Sequence, residues 1–170
     1  FDGFLRAFGE VGKRLRTPDD YGLITRRLLQ NLARQNVRYA EIIIAAGVVL
    51  WKEQEFAPIF AAIRDAAADS PVQVRWILDA VRQFGAEHAM RVAELAAERI
   101  DQGVIAFGIG GSEERGPANW FHDAFAFARR SGRISKACCG PAFRSSSIFP
   151  PTQSPIETGC GGCSSRPVRG

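Results

Sequence analysis

In Gly103-Val-Ile-Ala-Phe-Gly-Ile-Gly-Gly-Ser-Glu-Glu-Arg-Gly-Pro117, an apolar run of strand length breaks up into glycines. Val104 to Ile109 shows no alternation, the pattern of a strand covered on both faces. Gly108, Gly110 and Gly111 then remove side chains at its C-terminal end, so another group can approach the backbone. Pro117 suits the first turn of a following helix. In parallel α/β proteins the loop after a strand's C-terminus is where ligands bind, which makes this end a candidate substrate contact. The other reading is a tight turn between strand and helix. A dinucleotide-binding fingerprint is excluded, because G-x-G-x-x-G needs a third glycine where this chain has Glu113.

Outward from this strand the pattern repeats. Phe1 to Leu15 carries apolar residues at helical spacing. Thr17-Pro-Asp-Asp20 is a helix start, with Thr17 as N-cap, Pro18 in the first turn and Asp20 where a capping box places an acid. The spacing predicts a helix to about Gln35 with Tyr21, Ile24, Leu28 and Leu32 on its buried face. Val37 to Ala45 reads as a strand, in which Glu41 is either a satisfied core carboxylate or a site group. A loop with Gly47, Trp51 and Lys52 follows, then a helix over 56–68 that buries Phe56, Ile59, Phe60 and Ile63. Val72 to Leu78 reads as a strand ending at Asp79. A helix over 86–100 buries Ala89, Val92, Ala93, Ala96 and Ile100, and the helix after the glycines holds Trp120, Phe121, Ala124, Phe125 and Ala128.

One helix followed by three strand–helix units with short connections implies a parallel sheet with right-handed crossovers. Three strands are too few for a closed barrel of eight and leave two edges unpaired. The expectation is an α/β piece of something larger, truncated at its N-terminus. No apolar run reaches membrane-spanning length and no secretory signal is present, so no membrane partner is expected and the chain reads as cytoplasmic.

The 170 residues carry 22 Lys and Arg against 18 Asp and Glu, a formal +4. Residues 1–132 hold 17 of each sign, so the whole excess lies in residues 133–170, with five bases against Glu157. That distribution argues against a nucleic-acid surface on residues 1–132. The tail also holds all four cysteines, Cys138, Cys139, Cys160 and Cys163, with seven Ser, five Pro and five Gly and no helical or strand period. Disorder is the plainest reading. A cysteine zinc site would have only Cys160 and Cys163 at chelating spacing, and a basic nucleic-acid arm would have sparse charges. The chain therefore divides into 1–132 and 133–170.

Several of these stretches together resemble the adenosine deaminase family of the amidohydrolase superfamily. Phe1-Asp-Gly-Phe-Leu-Arg-Ala-Phe8 resembles its F-L-x-x-F helix, and Leu15-Arg-Thr-Pro-Asp-Asp-Tyr21 its L-x-T-x-E-D-Y turn. Asn36-Val-Arg-Tyr-Ala-Glu41 is similar to its N-V-x-Y-x-E strand, and Gly111-Ser-Glu113 falls on its fourth-strand L-A-G-D-E. The resemblance implies a partial (β/α)8 TIM barrel, about strands two to four with their helices. It implies a purine nucleoside ligand, met by the backbone of Gly111 and covered by Phe1, Phe4 and Phe8, with Glu113 as support. Core packing is the other reading of the three phenylalanines.

After the second strand the chain has Glu41-Ile-Ile-Ile-Ala-Ala46 where the family has E-x-R-x-x-P, and later Asp79-Ala-Val-Arg-Gln-Phe84. That pattern is similar to deaminases of 6-amino-6-deoxyfutalosine, so adenosine and that compound both stand as substrates. The family's zinc is held by H-x-H, a further His and an Asp, with a catalytic Glu in H-A-G-E, and none of these motifs occurs here. The only histidines, His88 and His122, stand alone on helices. The expectation is a fragment that binds no catalytic zinc and does not deaminate; the alternative is a non-catalytic nucleoside-binding or regulatory protein. Codons for Ala137 to Pro150 read from their third base permit a stretch resembling the family's approach to strand eight, which suggests an out-of-frame tail.

Overall fold

A computed structural model describes residues 2–131, with the side chains of Asp2, Phe4, Leu5 and Arg6 left out. The readings of the tail, of its cysteines and of Phe1 lie outside these residues. The elements are α1 (Asp2–Arg14), α2 (Pro18–Arg34), β1 (Tyr39–Ile44), α3 (Ala46–Trp51), α4 (Phe56–Ala68), β2 (Gln73–Val81), α5 (Gly85–Ala97), β3 (Val104–Gly110) and α6 (His122–Arg130).

Local signals start the helices. The Asp20 amide donates to Thr17 Oγ1 at 3.3 Å, and Asp20 Oδ2 accepts from the Thr17 amide at 2.8 Å, so two orphan donors of α2 are satisfied reciprocally. Asn36 closes the helix with φ of 60°. The three strands form one parallel sheet in the order β1-β2-β3. Among the described residues no strand pairs with the outer edge of β1 or of β3.

Helices cover one face of the sheet. Ile44, Trp76, Leu78, Phe107 and Ile109 point into this layer, against Phe56, Phe60 and Ile63 of α4, Val92 and Ala96 of α5, and Phe125 of α6. Phe60 meets Trp76 edge-on at 6.3 Å between centroids, and Phe107 meets Phe125 at 5.1 Å. Such pairs add about 1 kcal/mol each beyond area burial. The opposite face is open at β1, where Ile43 is 64% exposed. No described helix is long and apolar enough to cross a membrane.

The structure corrects five sequence expectations. On α2 the buried residues are Tyr21, Gly22, Thr25 and Leu29, whereas Ile24 and Leu28 are exposed. The helix carries two apolar stripes; one packs on α4, where Gly22 lies 3.3 Å from the Ala62 carbonyl, and the other faces the free edge of β1. Residues 46–51 form a helix rather than a loop, because Gly47 lets its backbone close on β2: a Cβ there would stand 3.0 Å from the Val81 amide nitrogen. β2 does not stop at Leu78 but runs to Val81, with Asp79 inside it. Glu41 is an exposed carboxylate, neither core nor cleft, and accepts from the Tyr39 hydroxyl at 3.1 Å. The last helix begins only at His122, after a 3₁₀ turn over Ala118–Phe121 that leaves Trp120 exposed.

Candidate functional site

The glycine-rich end of β3 is occupied from within. Asp79 pairs with Gly108 and Val81 with Gly110 in the parallel ladder. A Cβ on Gly108 would lie 2.6 Å from Asp79 Oδ1, and one on Gly110 would lie 2.8 Å from Oδ2. Both glycines therefore make room for one carboxyl on the neighbouring strand. Among the described residues Asp79 has no hydrogen bond or ion pair, and its partial burial raises the carboxyl from 3.8 to about 6. Gly111 has φ of 106°, a left-handed conformation that disfavours a side chain, and the Gln83 amide oxygen lies where its Cβ would be. Any ligand that meets the Gly111 backbone must share the space with Gln83.

Arg82 fixes the loop beyond. Its guanidinium is buried at 3% exposure and donates to the Gly116 carbonyl at 2.7 Å and to Glu113 Oε1 at 3.3 Å. It also lies 5.9 Å from the centroid of the Phe121 ring. Glu113, expected as support, thus holds a residue 31 positions away in sequence.

A second cluster anchors α1. Lys52 Nζ donates to the carbonyls of Gly12 at 2.6 Å and Leu15 at 2.8 Å, and Gln54 Nε2 donates to the Arg16 carbonyl at 2.9 Å. The Tyr21 hydroxyl donates to Gln54 Oε1 at 2.9 Å. These bonds set α1 beside the open edge of β1, where a cavity of about 500 Å³ is lined by Phe8, Leu15, Leu28, Ile43 and Asp79 among others. Its size is that of a small-molecule site. Of the expected substrate contacts, Phe8 lines this cavity and Gly111 does not; Phe4 sits on α1 with its side chain outside the described residues, as is all of Phe1.

Where the fit to zinc can be tested, it fails: among the described residues no three His, Cys, Asp or Glu side chains converge. His122 is exposed beside Asp123. Both ring nitrogens of His88 are buried without a partner, the ring standing edge-on to Phe84, which in turn stacks on Trp51 at 5.5 Å. Burial, then the charge of Arg91, lowers the His88 pKa. The described residues alone do not make a zinc set.

The chain resembles known proteins in both sequence and fold. The profile of the family described as Adenosine deaminase matches residues 1–149. The chain belongs to the adenosine deaminase family. The adenine deaminase of Rhizobium etli is 31% identical over 136 residues, which are 78% of this chain and 42% of that protein. The aminodeoxyfutalosine deaminase of Streptomyces avermitilis is 31% identical over 138 residues, 78% of this chain and 38% of that protein. Among solved structures, an amidohydrolase from Burkholderia ambifaria with bound Zn superposes with a TM-score of 0.65 at 29% identity, covering 72% of this chain and 35% of that one. The fold is therefore part of a TIM barrel of the amidohydrolase kind, and the family is one of purine deaminases. The chain spans about two fifths of the length of the relatives it matches.

Sequence reading missed Asp79, Gln83 and Arg82 as members of this site. Asp79 carried a usable signal, since it is a lone acid in the apolar stretch Trp76-Ile-Leu-Asp-Ala-Val81. Beyond the resemblance of the stretch Asp79-Ala-Val-Arg-Gln-Phe84, Gln83 and Arg82 gave none, because their partners are 28 or more residues away in the chain.

Proposed function

We propose that this chain is the purine-binding flank of a zinc-dependent 6-aminopurine deaminase, and that alone it binds the purine without hydrolysing it. The observation that carries the reading is the side-chain-free backbone at the C-terminal end of β3, at the mouth of a parallel sheet and shared with Asp79 and Gln83, with its loop held by Arg82. Ligands in such folds bind at that end. Members of the family named for adenine and aminodeoxyfutalosine support a 6-aminopurine ligand. Arabidopsis structures of the same fold, complexed with GMP and IMP, accord with a purine ligand.

Hydrolysis of a 6-amino to a 6-oxo purine adds water at C6 and releases ammonia. A metal ion would supply the activated water at neutral pH. This chain's own residues bind and orient: Gly111 offers backbone, Gln83 sits over it, and Phe8 lines the adjoining apolar cavity. Calorimetric titration of the 170-residue chain with adenine and adenosine, beside an ammonia-release assay with added zinc, tests both halves. Saturable heat without ammonia is expected. Absence of saturable heat with either purine overturns the binding half, and turnover by this chain overturns the inactive half.

A further inference from the structure

We propose that Lys52 is a positioning residue for the ligand: its ammonium holds the C-terminal end of α1, and through α1 it keeps Phe8 as a wall of the apolar cavity. The assignment rests on the purine reading above and names what keeps that wall in place.

Packing does not fix α1. From Ala7 to Arg14 every residue is exposed except the half-buried Gly12, and Phe8 and Val11 are 52% and 58% exposed. A Cβ on Gly3, Gly9 or Gly12 would meet nothing within 4 Å. Glycines weaken a helix interior, and a helix of 13 residues is marginal on its own. Hydrogen bonds therefore decide where α1 sits.

Those bonds converge on one end of the helix. The last carbonyls of a helix have no partner within it and form its negative pole, so a cation is favoured there. Lys52 Nζ donates to the Gly12 carbonyl at 2.6 Å and to the Leu15 carbonyl at 2.8 Å. Among the described residues no carboxylate pairs with Lys52, so its charge serves these carbonyls alone. Gln54 Nε2 adds bonds to the carbonyls of Leu15 at 3.3 Å and Arg16 at 2.9 Å. The hydroxyl of the buried Tyr21 donates to Gln54 Oε1 at 2.9 Å, which turns the amide nitrogen toward α1.

Lys52 itself stands on a rigid base. It directly follows α3, whose Gly47 closes on the Val81 amide nitrogen. Trp51, the residue before it, stacks on Phe84, and Phe84 adjoins the Gln83 that lies over Gly111. The cavity runs from Phe8 past Lys52 to Asp79, whose carboxyl lies against Gly108 and Gly110. One short helix thus ties α1 to the strand ends that face the ligand. Removing Nζ leaves that base intact and frees α1.

The test is calorimetric titration of the full chain with adenosine, together with hydrogen exchange across residues 7–14. Lys52→Met keeps the side-chain length and removes the donor. It is expected to weaken adenosine binding by roughly tenfold, because α1 must then be recruited on binding. Exchange in α1 is expected to rise while β1 to β3 stay protected. Lys52→Arg keeps a cation that reaches both carbonyls and is expected to recover affinity to within about threefold of the parent. Phe8→Ala combined with Lys52→Met is expected to bind no more weakly than Phe8→Ala alone, since the lysine acts through Phe8.

Unchanged affinity in Lys52→Met, loss of affinity with α1 exchange unaltered, or additive losses in the double variant each overturn the assignment and leave the purine reading standing. No saturable heat with the unaltered chain overturns both. Circular dichroism checks that Lys52→Met folds. If it does not, acetylation of the unaltered chain by acetic anhydride decides. Lys52 is expected to react more slowly than the exposed Lys13, and more slowly still with adenosine bound; equal rates overturn the proposal.

Discussion

Asp79→Asn turns the buried carboxyl into a measurable dependence of stability on pH. The folded-state pKa is about 6 against 3.8 for the unconstrained group, and desolvation is the cause. A shift of 2.2 units corresponds to about 3 kcal/mol at 1.36 kcal/mol per unit; because the side chain is partly open to water, about 1–2 kcal/mol is expected. The sign follows from proton counting. Between pH 4 and 6 the folded chain holds the Asp79 proton and the unfolded chain has lost it, so stability falls as pH rises through this window. Below pH 4 both states are protonated and the penalty is absent; above about 6 it is complete. His88 acts in the opposite sense just below pH 6.5, because its lowered pKa makes the unfolded state bind more protons. Asp20, also lowered, acts at more acid pH, its stabilisation lost as pH falls through its folded value.

Both of those contributions cancel in the difference between the parent chain and Asp79→Asn. Urea unfolding at half-unit steps from pH 4 to 8 is therefore the assay. The variant is expected to gain about 1–2 kcal/mol relative to the parent between pH 4 and 7. A flat difference, or one that runs the other way, refutes the desolvation of Asp79.

Other expected outcomes follow from single contacts. Gly47→Ala places a methyl 3.0 Å from the Val81 nitrogen and 3.1 Å from Ala80 Cα, backbone that cannot yield, so the denaturant midpoint should drop by the equivalent of about 1–3 kcal/mol. Arg82→Ala removes the bonds to Gly116 and Glu113 and should cost about 2–3 kcal/mol, with hydrogen exchange rising first at residues 113–116. Glu113→Gln alters only the exposed half of that pair and should cost under about 1 kcal/mol by the same measurement. Phe125→Ala empties a site 2% exposed beside Phe107 and should cost about 3–5 kcal/mol, read from thermal unfolding.

Features legible in the sequence were those fixed by neighbours in the chain. The Thr17–Asp20 cap lies within four residues, and the buried face of α4 follows from helical spacing alone. The run Val104 to Ile109 is buried apart from a half-buried Ile105, and its unbroken apolar pattern needs no knowledge of the partner strands. Long-range contacts hid the rest. Helix α3 is too short to be marked by periodicity, and it exists because Gly47 admits the end of β2. Asp79 looked like the end of a strand because a charge normally stops an apolar run. Only the glycines of another strand, 29 and 31 positions later, make room for it. The same glycines suggested an external ligand against the backbone, and the chain's own Asp79 and Gln83 fill much of that space. On α2 two stripes of similar hydrophobicity compete, and only the position of α4 decides between them.

The two edges of the sheet that stay unpaired among the described residues are not equivalent, and this sets how copies of the chain can associate. An addition that keeps all strands parallel joins β3 of one copy to β1 of the next, a head-to-tail contact that leaves a fresh edge at each end. Whole three-strand units never sum to the eight strands of the parent barrel, so such growth cannot rebuild that ring. Pairing two β1 edges across a two-fold axis is antiparallel and stops at two copies. An open ladder thus uses both edges of the sheet and a closed dimer only one, and the mass distribution in solution tells which pairing prevails.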